Sequence, residues 1–109
     1  MAKATTIELS GWGRYPRHHA TVLRPENVSE AAPPRSGQMI ARGQGQSYGD
    51  AALFEDGIVM LTERLNGFLS FDDQTGMLTA EGGTTLAEVI DEYLPRGWFP
   101  SVVPGTKFV

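Results

Sequence analysis

The residues best suited to chemistry stand close together, in Ala41-Arg42-Gly43-Gln44-Gly45-Gln46-Ser47-Tyr48-Gly49-Asp50-Ala51. Glycines at 43, 45 and 49 let the backbone turn sharply and bring its N–H groups against a ligand with no side chain in between. Arg42 adds a fixed positive charge, and Ser47 and Tyr48 add hydroxyl donors. Such a set suits an anionic group, a phosphate above all. The dinucleotide fingerprint of the doubly wound fold requires Gly-x-Gly-x-x-Gly opening a helix. Here the third glycine comes late, at Gly49, and the stretch from Asp50 to Gly57 is too short for a full helix before the next strand. A Walker loop is excluded, because no Gly-Lys-Ser/Thr follows. From physics alone the alternative is a glycine-rich turn between two strands. The phosphate reading carries its own expectation, that Gly45→Val places a branched side chain where the anion should approach and abolishes its binding.

Other chemistry-bearing groups read as ordinary surface. His18 and His19 are adjacent, so an extended chain points them to opposite sides and they cannot readily share a metal. Asp72 and Asp73 sit in a stretch of turn residues and lack the further ligands a calcium loop needs. Glu88, Asp91 and Glu92 fit the charged outer face of a helix better than an acid–base site.

The elements that must position the glycine segment follow from pattern and punctuation. Residues 1–8 are expected to be flexible. Gly11-Trp12-Gly13-Arg14-Tyr15-Pro16 forms a turn whose Trp12 and Tyr15 are expected to cover the edge of the core. Ala20 to Arg24 reads as a strand ended by Pro25, and Glu26 to Ala32 as a helix of about two turns stopped by Pro33-Pro34. Met39 to Arg42 is the strand that delivers the glycines. Gly57 to Leu61 is a continuous apolar run, consistent with a strand buried on both faces. Phe68–Phe71 and Met77–Glu81 flank a loop rich in turn residues and read as a β-hairpin. The clearest helix runs from Leu86 to about Leu94: Thr85 and Glu88 form a capping box, and Leu86, Val89, Ile90 and Tyr93 share one face. Trp98 to Val103 is expected to return as an apolar strand or extended segment. The resulting class is α+β, a small parallel or mixed sheet plus a second, hairpin sheet with one clear helix.

Composition narrows the function further. The chain has 109 residues, 40% of them hydrophobic, which suits one small folded domain rather than disorder. Its formal net charge of −4 offers no field for nucleic acid or an anionic membrane, so a bound phosphate must be held by local donors. There is no cysteine, hence no disulfide framework and no thiolate chemistry. With no apolar run of membrane-spanning length and no signal-peptide pattern in Met1 to Ser10, a cytoplasmic location is the default expectation.

As a set, Arg24-Pro25, the string from Ile40 to Ala52, the upstream Gly11 to Pro16 and the downstream Val103-Pro104-Gly105-Thr106 resemble the FAD-linked oxidases related to vanillyl-alcohol oxidase. Within that family they look most like the decaprenylphosphoryl-ribose oxidase branch. The resemblance spans residues 9–109 and implies the N-terminal portion of a PCMH-type FAD-binding domain, with the C-terminal part of that domain and the substrate domain absent. It implies FAD as cofactor, with Ala41 to Ala51 along the pyrophosphate and flavin, Gly105 and Thr106 as further backbone contacts, and the segment from Leu9 to Pro16 near the flavin. For a full-length relative it implies oxidation of a CH–OH group on a sugar or polyprenyl-phosphate sugar; this chain alone is expected not to turn over. In such relatives a longer helix links the first two strands, and Pro33-Pro34 depart from that pattern. The alternative is a cofactor-free module that self-associates through exposed apolar surface or binds a protein partner.

Overall fold

The computed structural model describes residues 4–109, and its organising strand is the apolar run foreseen in the middle of the chain. Six strands and one α-helix follow in the order β1 (Thr5–Ser10), β2 (Arg17–Leu23), β3 (Met39–Arg42), β4 (Ile58–Leu61), β5 (Phe68–Phe71), β6 (Leu78–Ala80) and α1 (Leu86–Tyr93). The first four make a mixed sheet in the order β1-β2-β4-β3, and the last two strands make a separate two-stranded sheet. β4 lies between two parallel neighbours, with Thr21 opposite Ile58 on one side and Arg42 opposite Leu61 on the other. A strand so placed is covered above and below, and Val59, Met60 and Leu61 are all buried.

Alternation sets the core. Leu9 of β1, Ala20 and Val22 of β2, and Val59 and Leu61 of β4 form one buried cluster, with Ile7, Ile40, Leu53 and Phe54 packed against it. Leu53 and Phe54 belong to the connection from β3 to β4. Parallel neighbours need a crossover of a dozen or more residues, usually a helix. Here a loop of turns serves instead, and these two side chains supply the cover a helix would have given.

Three expectations are corrected. Flexibility was expected through residue 8, but from Thr5 onward the chain is strand β1, paired antiparallel with β2 from Thr5 opposite Val22 to Ser10 opposite Arg17. The burial of Ile7 and Leu9 against the sheet supplies the stabilisation that propensity alone did not reveal. The two-turn helix over Glu26 to Ala32 contracts to a single 3₁₀ turn, Val28–Glu30, capped by the Asn27 side chain and with Val28 exposed. Having no apolar face to bury, the segment gains nothing from further helical turns. Trp98 to Val103 forms no strand; it runs over the surface in bends, because Pro100 interrupts it and no sheet edge pairs with it.

The second unit is assembled around aromatic rings. Tyr93 on α1 is buried between Phe68 and Phe71 of β5, with centroids 5.4 and 4.3 Å away, and Phe71 meets Trp98 edge-on at 5.7 Å. The hairpin tip is held by the Asp72 carboxylate, which accepts from the Gln74 and Thr75 backbones; these bonds hold its pKa below the ordinary value. Among the described residues no group of three or more His, Cys, Asp or Glu is placed to hold a metal ion. The two units are joined by short bonds, Gly83 N–H to the Leu65 carbonyl at 2.8 Å and the Asn66 amide to Glu88 Oε1 at 2.8 Å.

They do not close on one shared core. The radius of gyration is 15.6 Å, against roughly 13 Å for a compact domain of this length. The accessible surface is 7474 Å², against roughly 5,900 Å² for a folded monomer of this mass.

The capping box at α1 forms as the sequence foretells: Thr85 Oγ1 accepts from Glu88 N–H at 3.2 Å, and Glu88 Oε2 accepts from Thr85 N–H at 2.8 Å. Such a cap contributes about 1 kcal/mol. The Thr85 backbone and then the Asn66 side chain hold the Glu88 carboxyl below its ordinary value of 4.5. A depressed folded-state pKa contributes stability above the unfolded value, and that contribution is lost as pH falls through the folded value. Denaturant midpoints measured at about pH 6 and about pH 3 are therefore expected to fall further in the natural sequence than in Glu88→Gln. Equal pH dependence in the two proteins would remove Glu88 from the acid response.

Candidate functional site

The glycine loop leaves β3 at Arg42 and returns to β4 at Ile58, and its conformation is controlled by where its carbonyls go. The Ser47 carbonyl accepts from Trp12 N–H at 3.0 Å, the Asp50 carbonyl from Leu53 N–H at 3.0 Å, and the Ala52 carbonyl from Arg42 Nη1 at 3.2 Å. The N–H groups go the other way. Among the described residues, no backbone N–H from Gly43 to Ala52 donates to an acceptor of the chain. Three carbonyls of the loop are thus engaged, and its N–H groups from Gly43 to Ala52 take no partner among the described residues. Gly45 and Gly49, at φ +68° and +61°, supply the left-handed turns of this loop.

Gln46, Ser47, Tyr48, Gly49, Asp50 and Ala51 are exposed along the loop, as are Ala41, Gly43 and Gln44, whereas Arg42 and Gly45 are half-buried. Arg42 differs from its expected role. Its guanidinium lies beneath the loop, with Nη1 on the Ala52 carbonyl and Nη2 on the Ser10 carbonyl at 2.6 Å. Burial lowers its pKa from the ordinary arginine value, opposed by the Glu63 carboxylate, so it remains a cation behind the loop. A Cβ at Gly45 would overlap Nη2 and lie 2.7 Å from Cζ of Arg42, so this glycine makes room for the arginine.

The N-terminal turn is the part of the site that residue reading misplaced. Trp12 and Tyr15 do not cover the core edge; they are 64% and 83% exposed. Trp12 instead stands edge-on to Tyr48 of the loop, 5.7 Å between centroids. Gly11 permits this approach, since a Cβ there would fall 2.6 Å from the Ser47 carbonyl oxygen and 2.8 Å from that of Gly49. Gly11 was the available signal: a glycine there marks a backbone that another backbone approaches closely.

Gly105 and Thr106 lie elsewhere. They line a cavity of about 120 Å³ with Leu86, Ile90, Phe99 and Val103, beside the start of α1. The chain after them covers that helix end, Leu86 N–H donating to the Val109 carbonyl and Ala87 N–H to the Lys107 carbonyl, each at 2.9 Å. No hydrogen bond among the described residues joins Gly105 or Thr106 to the glycine loop. The histidine pair stays apart as expected, although a carboxylate does stand near: His18 Nδ1 lies 3.7 Å from Glu55.

Among the described residues the N–H groups of the loop take no partner within the chain, the Arg42 guanidinium stands behind them, and the exposed rings of Trp12 and Tyr48 flank them. The family model for the FAD binding domain matches residues 16–108, and the chain belongs to that family. Decaprenylphosphoryl-beta-D-ribose oxidase of Mycolicibacterium smegmatis is 36% identical to the present chain, over 96% of this chain and 24% of that protein. The chain therefore spans about a quarter of the length of that relative.

Because Gly11 is in near contact with two loop carbonyls, Gly11→Val is expected to push the Trp12 turn off the loop. The Trp12 indole fluorescence would shift toward that of a free tryptophan. An unchanged emission spectrum would show that the turn and the loop are independent.

Proposed function

We propose that this chain is the N-terminal FAD-binding portion of an oxidoreductase that oxidises a CH–OH group of a sugar or polyprenyl-phosphate sugar, and that the glycine loop holds the FAD pyrophosphate. The observation that carries this reading is the uninterrupted set of backbone donors from Gly43 to Ala52. A pyrophosphate presents several oxygens in a row, and short N–H groups on a fixed backbone satisfy them without ordering long side chains. Ser47 adds a hydroxyl donor, and the Arg42 cation behind the loop favours negative charge in front of it. Trp12 and Tyr48 offer apolar ring edges at the side of the loop, suited to orienting a planar ring system and excluding water from one side of it. FAD, when bound, supplies the acceptor for the substrate's hydride. The chain's own residues bind and orient; none of them is assigned a proton-transfer role, and turnover is assigned to the longer protein. Gly105 and Thr106 enter this reading as backbone contacts to the same cofactor. The substrate class rests on the name of the mycobacterial relative.

Titration of the purified chain with FAD, ADP and FMN, followed by calorimetry and flavin fluorescence, tests the reading. FAD and ADP are expected to bind and FMN to bind far more weakly, because the loop addresses the pyrophosphate rather than the flavin ring. Binding of FMN alone would overturn it.

The unclosed second unit supports a second reading, a cofactor-free module that self-associates. Between the hairpin, α1 and the segment after it lies an open cavity of about 570 Å³ lined by Phe71, Met77, Leu86, Val89, Tyr93 and Trp98. Phe99, Val102 and Phe108 remain exposed in the same unit. Apolar surface of this extent tends to find a cover. Under this reading, light scattering shows a mass that rises with concentration and is unaffected by FAD; a monomer at all concentrations excludes it.

A further inference from the structure

We propose that Arg42 is the positioning residue of the glycine loop: its guanidinium, bonded to the Ser10 and Ala52 carbonyls beneath Gly45, holds the loop's N–H groups outward and does not itself meet the anion. The consequence for FAD rests on the flavin reading above; the structural part stands without it.

Strand order shows what the bridge spans. β1 and β3 are the two edges of the sheet, with two strands between them. In a flat sheet they would stand roughly 14 Å apart, three strand spacings. Yet Arg42, the last residue of β3, donates to the carbonyl of Ser10, the last residue of β1, at 2.6 Å. The bond therefore links the two edge strands across β2 and β4. Its other end is fixed as well, since the Arg42 carbonyl accepts from Thr62 N–H at 2.9 Å beside β4. One residue thus ties both sheet edges, the central strand and the far end of the loop.

The chemistry of the side chain suits this role. Two nitrogens of a planar guanidinium diverge at a fixed angle toward two carbonyls, whereas a lysine ammonium is a point charge on a flexible stem and cannot hold both in one geometry. Gly45 belongs to the same device. A Cβ at that position would overlap the guanidinium. An unrestrained arginine would swing aside at little cost, but this one can do so only by abandoning both carbonyls. The identity of residue 45 is thereby coupled to that of residue 42.

The test is a double-mutant cycle on thermal unfolding of the full chain without ligand. Gly45→Ala is expected to lower Tm by about 5 °C or more beyond its effect in an Arg42→Ala background, because both changes remove the same bonds. Additive effects would overturn the proposal. Should the Arg42→Ala protein not fold, nuclear magnetic resonance on the natural sequence decides: Arg42 Nη hydrogens that exchange slowly with solvent are expected, and fast exchange overturns the bridge. In parallel, Arg42→Lys keeps the charge but not the fork. It is expected to weaken FAD and ADP by about ten-fold or more, the scale of losing a charge-assisted hydrogen bond. Undiminished affinity would make Arg42 a simple counter-charge and overturn its positioning role. If the natural sequence binds neither ligand, the flavin reading fails while the ligand-free cycle still decides the bridge.

Discussion

Everything distinctive in this chain depends on the direction of the peptide groups between Arg42 and Ile58. A loop of this length could fold with its donors and acceptors satisfied at random by water and by one another. Instead its carbonyls at Ser47 and Ala52 are engaged by Trp12 and Arg42 and that of Asp50 by Leu53 within the loop, while its N–H groups from Gly43 to Ala52 take no partner among the described residues. These donors are local to one loop of a chain whose formal net charge is −4.

The same loop also performs a packing task. It connects two parallel neighbours, and it brings Leu53 and Phe54 down on the core beside Leu9, Ala20, Val22, Val59 and Leu61. Glycine loop and sheet cover are one segment, so the conformation of the glycines is tied to burial of the core. The second unit is built differently. It rests on a few aromatic contacts around Tyr93 and on two short links to the first, and it leaves a large apolar cavity open.

Much of this was legible in the residues. The capping box of Thr85 and Glu88, the helical stripe ending at Tyr93, the apolar run of β4 and the turn-rich hairpin tip are local signals, each carried by neighbours within a few positions, and each formed. The segment after Leu23 failed for an equally local reason: its propensity suggested a helix, but it had no apolar face to bury, and one 3₁₀ turn remained. The strand at Thr5 was missed because its stabilisation comes from pairing with β2, which residues 4–10 do not display on their own.

The sequence by itself determined the glycine spacing, the family and hence the class of ligand, because these depend on residue types at fixed offsets along one short stretch. Only the tertiary structure decided which partners the side chains around that stretch take within the chain. Arg42 read as a fixed positive charge beside the glycines and is bonded to Ser10, 32 positions away; Trp12 read as core cover and stands against Tyr48. Such partners are set by how strands, turn and loop pack together, which joins residues distant in sequence, and no single stretch of residues encodes that packing.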